Sequence, residues 1–279
     1  MKNRLDKIFD NFKRIVVRIT NIMLKDELKT LPGHLAFFLV LSIIPILSII
    51  SVIASLYGVS LTSVVTFIKG SIPNDIYELL LPFISEFKIT GNVLFFIVVA
   101  LLLASNGPHA IILASNALYK TEEEDYIHRR VKAFWITIVL VIVFFFTLFI
   151  VTSGSFILKT IFSLGFFKST QTNAVIILWF FKYPFAYILI YFATKLIYTI
   201  TPNVSISSKS VTKGAIFTTI GWLLVSYIFS YYMTNIASYD LLYGSLASII
   251  AMMIWSYLLS TILVIGIAIN ADNYLMNKK

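Results

Sequence analysis

Six stretches of about twenty mostly apolar residues constrain this chain more than any other feature. A helix needs roughly 20 such residues to cross a bilayer core. Residues 35–57, 93–118, 134–157, 174–198, 215–236 and 245–269 meet that requirement. Polar or turn residues bound them, among them Gly91-Asn92, Glu122 to Asp125, Pro202-Asn203 and Asp240. Of the 279 residues, 59% are apolar and 13% charged. A soluble domain carries about 25% charged residues, so this chain lacks the polar surface of a soluble enzyme. Cys is absent, which removes disulfides, iron–sulfur clusters, thiolate zinc sites and a cysteine nucleophile together. The expected fold is an all-α integral membrane protein, a six-transmembrane-helix bundle.

Lys and Arg orient the spans. Eight lie in residues 1–34, four in 119–133, two in 199–214 and two after 270, against only Lys69, Lys88, Lys159 and Lys168 on the alternate side. Positive residues gather on the cytoplasmic side, so both termini are expected in the cytoplasm of a multi-pass protein of the plasma (inner) membrane. The organisation read from the chain is a basic helix over 1–30, a transmembrane domain over 31–272 and a cytoplasmic tail over 273–279. No signal peptide is expected at the start, because residues 1–30 contain no apolar core of the required length.

Two further helices are amphipathic. Leu5, Ile8, Phe9, Phe12, Ile15, Val16, Ile19, Ile22 and Met23 repeat at helical spacing, with Lys7, Lys13, Arg14 and Arg18 off that stripe. This pattern suits an N-terminal cytoplasmic surface helix on an anionic leaflet, or one packed on the protein's own cytoplasmic ends. In 71–88, Pro73 stands at a helix start, and Ile76, Leu79, Leu80, Phe83, Ile84 and Phe87 repeat by three and one. That segment is too short and charged to span, so an outer amphipathic helix is expected. Thr121-x-x-Glu124 fits a capping box opening a solvated helix whose Arg129, Arg130 and Lys132 meet the membrane surface.

Polar groups inside a span are costly unless protein or water receives them. The second span carries Ser105-Asn106-Gly107-Pro108-His109 at its centre. Pro108 removes a backbone donor and crowds the carbonyl of Ala104. Two readings follow: a kink whose Asn106 and His109 are satisfied by neighbouring helices, or a discontinuous helix lining a cavity. Asn106, Gly107, Pro108 and His109 are thus candidate substrate-binding residues. Lys182 is the fifth, lying about 12 Å down the fourth span at 1.5 Å per residue. It either snorkels to the outer headgroups or meets an anionic headgroup in a cavity. Lys195 reads as an anchor. Gly244/Ser248 and Ala247/Ala251 have the spacing of close helix packing.

Hydrolytic motifs are absent: no HExxH, GxSxG or Walker loop occurs. His34, His109 and His128 show no paired metal-ligand spacing. The basic residues lack the interleaved aromatic platform of a nucleic-acid binder. No catalytic residue, metal, cofactor or nucleic-acid partner is therefore expected, and membrane lipids are the expected partners.

Several blocks are similar to the YihY/BrkB-like membrane proteins. They are Gly33-His34-Leu35-Ala36-Phe37-Phe38 with Leu41-Ser42 and Pro45, and Ser105 to Tyr119 with Gly107, Asn116 and Tyr119, followed by Arg129-Arg130. The third block, fairly specific, is Lys213-Gly214-Ala215, Trp222, Tyr243-Gly244-Ser245-Leu246, Trp255, Tyr257, Gly266 and Asn270-Ala271. His34 departs from the small or polar residue more usual there. The resemblance spans nearly all of 30–272 and implies a six-helix inner-membrane protein of a family once labelled ribonuclease BN, a label regarded as a misassignment. Some relatives are linked to serum resistance or lipid export. The resulting expectation is a non-enzymatic protein that translocates or exports an amphipathic anionic molecule such as a lipid. The alternative is a membrane scaffold organising envelope partners.

Overall fold

Apolar runs placed in lipid must satisfy their backbone polar groups internally, which leaves the helix as the local solution. The computed structural model describes residues 27–56, 65, 69, 74–85, 93–122, 125–143, 171–235 and 246–277, and no strand occurs among them. Its helices are α1 (Glu27–Leu56), α2 (Asn74–Ser85), α3 (Val93–Ala104), α4 (Asn106–Tyr119), α5 (126–143), α6 (Gln171–Ile200), α7 (Thr212–Asn235) and α8 (Ala247–Asn277).

Lys29–Val52, Ile97–Tyr119, Thr212–Met233 and Ala247–Met276 are each long and apolar enough to cross a membrane. They coincide with the first, second, fifth and sixth expected spans. The third is helical to residue 143 and lies outside the described residues beyond it. The fourth falls in α6, a helix of 30 residues from Gln171 to Ile200. The expected N-terminal helix over 1–30 lies outside the described residues up to 26. Helix α8 continues to Asn277, so residues assigned to a tail are helical.

Helices α1 and α8 pack on each other at the centre; α8 also meets α7, α4 and α2, while α1 meets α3, α4 and α2. Helix α6 packs on α7. The α2 helix buries Ile76, Tyr77 and Leu80 against Leu47 and Ile50 of α1 and Ala251 and Trp255 of α8. The central contacts use small side chains: Ala110, Ala114, Ala215, Ala247, Ala251, Ala268 and Ala271 are all buried. Large apolar residues point outward, with Tyr227 75%, Phe95 69% and Ile127 67% exposed. Small residues at the helix contacts and large apolar residues on the outer faces, beside buried large ones such as Tyr198 and Leu263, suit helices that pack in lipid, where close approach drives association.

Candidate functional site

The break expected between Ser105 and Pro108 is confined to Ser105. Helix α3 ends at Ala104 and α4 begins at Asn106, three residues earlier than a restart at His109. Ser105 keeps a right-handed conformation, φ −67° and ψ −8°. Backbone bonds bridge it, from Ser105 N to Leu101 O at 2.9 Å and from His109 N to Ser105 O at 3.0 Å. Pro108 falls in the first turn of α4, where its missing N–H removes no internal bond of that helix. The Gly107 N–H donates to Ser42 Oγ of α1 at 2.9 Å, and that hydroxyl donates to Phe38 O at 2.7 Å. A side chain at Gly107 would press on Leu39 and Ser42 at 3.2 Å. One serine therefore completes the interrupted turn and holds α4 against α1.

Asn106 and His109 are half-buried. The His109 Nε2 atom is closed off from solvent and has no hydrogen-bond partner among the described residues. Its ring meets that of Tyr126 edge-on, with centroids 5.9 Å apart. Arg130, Arg129 and His34 are its electrostatic neighbours. The structure thus gathers His109 with the two arginines that open α5 and with an α1 histidine the sequence left without a role. Nothing in the sequence pairs α1 with α5, although Tyr126, Arg129 and Arg130 share one helical face by spacing.

Thr121 does not cap α5. Its hydroxyl turns back to Asn116 O at 3.4 Å. Lys120 takes a left-handed conformation, φ 53°, closing α4. Helix α5 instead follows Asp125, whose carbonyl accepts the Arg129 N–H at 3.1 Å; Glu124 lies outside the described residues.

Below this region sits a buried polar layer. The hydroxyls of Ser115 and Thr201 are 2.8 Å apart, and Asn203 N donates to Asn116 Oδ1 at 2.9 Å. Lys132 Nζ donates to Pro202 O at 3.3 Å. Where α7 meets α8, Gly214 N donates to Asn270 Oδ1 at 2.9 Å. The Tyr198 hydroxyl lies 2.5 Å from Thr218 Oγ1 and donates to Leu263 O at 2.9 Å. A side chain at Gly214 would strike the Gly266 carbonyl, and one at Gly266 would strike Thr218 and Tyr198. Higher in the same joint, Trp222 donates to Leu259 O at 2.9 Å and Trp255 to Ser226 Oγ at 3.3 Å. Ala247 and Ala251, expected to serve close packing, are buried.

Lys182 lies within α6 two residues before Pro184, but its side chain is outside the described residues. So are Lys13, Arg14 and Arg18. Among the described residues no three His, Cys, Asp or Glu come together as metal ligands would.

The sequence profile of the family described as virulence factor BrkB matches residues 20–276. A Bacillus subtilis relative named as the ribonuclease-like protein YfkH is 29% identical over 244 residues, covering 86% of this chain and 87% of that protein. A UPF0761 membrane protein of Alteromonas mediterranea is 24% identical over 256 residues, covering 87% of this chain and 81% of its own length. Another, of Aeromonas salmonicida, is 25% identical over 251 residues, with 86% and 82% covered. No solved structure matches the chain.

Proposed function

The chain belongs to the BrkB family of membrane proteins, and from that premise we propose that it translocates an amphipathic anionic molecule, such as a lipid, across the plasma membrane. In this reading six helices span the bilayer, both termini are cytoplasmic, and the protein acts without catalysis. The observation that carries it is His109. An imidazole nitrogen sealed from water without a partner costs about 1–3 kcal/mol, and an intramembrane ionisable group marks a functional site by default. A passing anionic group would supply the missing partner. Asn106 would line the same path, Gly107 and Pro108 would shape it, and Lys182 would offer a cation from the outer half.

The test is lipid movement in vesicles reconstituted with the purified protein, followed by quenching of a fluorescent phosphatidylglycerol. Wild type is expected to exceed protein-free vesicles. His109→Gln and Lys182→Gln should each slow movement about tenfold, a loss equivalent to one hydrogen bond to a charged group. Both variants should remain monodisperse in size-exclusion chromatography. Wild-type flux equal to that of empty vesicles would overturn the proposal. It would favour the scaffold reading, which draws support from the closely packed joint of α7 and α8. The relative named ribonuclease-like does not move this reading toward a nuclease, since no paired acid and base is evident in the sequence.

Orientation has its own test. A cysteine placed at Thr121 or Ser207 is expected to resist an impermeant thiol reagent outside intact cells, while one at Asp75 or Ser169 reacts. Labelling of Thr121 or Ser207 from outside would reverse the topology.

A further inference from the structure

We propose that the α6–α7 turn, residues 201–206, is a latch that closes the cytoplasmic end of α4 and opens toward the cytoplasmic leaflet. Its geometry stands by itself; its orientation and its part in lipid passage rest on the translocation reading.

The turn alternates in character. Val204 and Ile206 pack on the core cluster that holds Leu118, Tyr119 and Val211, while Ser205 and the following Ser207 are exposed. Such a segment lies as a strap over apolar surface and shows its serines to water. Among the described residues, four hydrogen bonds tie the strap to α4, α5 and the turn between them. The Ser115 and Thr201 hydroxyls lie 2.8 Å apart, and Asn203 N donates to Asn116 Oδ1 at 2.9 Å. Lys132 Nζ donates to Pro202 O at 3.3 Å, and Asn203 Nδ2 to Glu122 O at 3.4 Å. Thr201 Oγ1 already donates to Ile197 O at 2.9 Å. A hydroxyl has one proton, so Ser115 is the donor to Thr201. Ser115 thus gives its proton across to the end of α6 and not to its own helix.

Asn116 is the keystone. Its backbone carbonyl accepts the Thr121 N–H at 3.1 Å where α4 closes, and its side chain takes the Asn203 N–H. One residue, 4% exposed, therefore couples the two turns. That side chain is only half satisfied. With Oδ1 held by the Asn203 N–H the amide cannot be turned over, and Nδ2 is closed off from solvent without a partner among the described residues. A buried donor left unpaired penalises the closed arrangement, and lifting the strap would give Nδ2 water. The joint of α7 and α8 is different, because there a side chain at Gly214 would strike the Gly266 carbonyl. Hydrogen bonds that water can replace suit an element with two accessible states; interlocked backbones do not. Lifting the strap would part Thr201 from Ser115 and leave hydroxyl and amide groups facing the leaflet, a polar entry that suits a lipid headgroup.

The chain has no cysteine, so introduced thiols are clean reporters. In the purified full-length protein a cysteine at Thr201, a fully buried position, reacts with a maleimide only through the opened state. Asn116→Leu should speed that labelling about tenfold, the weight of one buried hydrogen bond. Ser115→Ala, an independent lesion of the same latch, should speed it about threefold. A cysteine at Ala251, buried against α2, should label at an unchanged rate in both backgrounds. Unchanged labelling at position 201 in monodisperse variants, or an equal rise at position 251, would overturn the latch. In a second arm, Ser115→Cys combined with Thr201→Cys should cross-link under oxidant and stop the movement of fluorescent phosphatidylglycerol, which reductant restores. Failure to cross-link, or full movement by the oxidised pair, would also overturn it. Wild-type protein that moves no lipid would sink translocation alone, because the labelling rates need no flux.

Discussion

The joint between α7 and α8 and the surface where α4 meets α5 are both built on membrane helices, yet they solve different problems. At the joint, shape decides. Gly214 and Gly266 bring two backbones together, and the Tyr198 hydroxyl is shared between Thr218 and the Leu263 carbonyl. At α4 and α5, charge dominates: His109 has aromatic contact and basic neighbours but a sealed nitrogen with no partner among the described residues. Each region keeps a buried atom without a hydrogen-bond partner among the described residues, Asn270 Nδ2 in the joint and His109 Nε2 on α4, but only the joint ties its helices together by several hydrogen bonds. Gly214, Trp222, Trp255, Gly266 and Asn270, which carry the third block of the resemblance read from the sequence, fall in the first region. These residues are architectural in this structure, since they hold α7 against α8.

The sharpest way to break this contrast is Gly266→Leu. Its side chain would occupy the space of Thr218, Tyr198 and the Gly214 carbonyl, and overpacking of that degree costs about 3 kcal/mol or more. Loss of the monodisperse species in size-exclusion chromatography is expected. A normal profile would mean that the joint is not the rigid half.

Tyr198→Phe removes one hydroxyl without changing volume. The Leu263 carbonyl and Thr218 each lose a partner in a site only 1% exposed at Tyr198. An expected loss of about 2 kcal/mol would be read from detergent-unfolding titrations. No change would show that water or a neighbour replaces the hydroxyl. The smallest effect belongs to Ser42→Ala, which strips the partner from Gly107 N. A loss of about 1 kcal/mol is expected, with lipid movement altered as α4 shifts on α1. Stability and movement both unchanged would detach the interrupted turn from function.

Much of the architecture was legible because membrane helices advertise themselves. The expected 215–236 span corresponds to α7 at Thr212–Asn235, and the 71–88 segment contains α2 at Asn74–Ser85. Pro108 drew attention to the right turn, since a proline must displace a backbone bond. The break proved narrower than expected because the hydroxyl oxygen of Ser42, 65 residues away, accepts the Gly107 N–H of that turn. Thr121 looked like a cap because its spacing to Glu124 suits one, but the left-handed Lys120 redirects its hydroxyl to Asn116. His34 was noticed only as a departure from the family pattern; its proximity to His109 depends on how α1 crosses α4.

Apolar run length, the uneven placement of lysine and arginine, and the absence of cysteine were sufficient by themselves to define an all-helical membrane chain and its expected direction. These are one-dimensional quantities, since a helix in lipid satisfies its own backbone and needs no partner to exist. The pairing of α1 with α8, the backbone contact at Gly214 and Gly266, and the contact of His109 with Tyr126 were decided only by tertiary structure. Helix association in lipid turns on close approach and a few hydrogen bonds between residues distant in sequence, and periodicity within one helix says nothing of which neighbour it will meet.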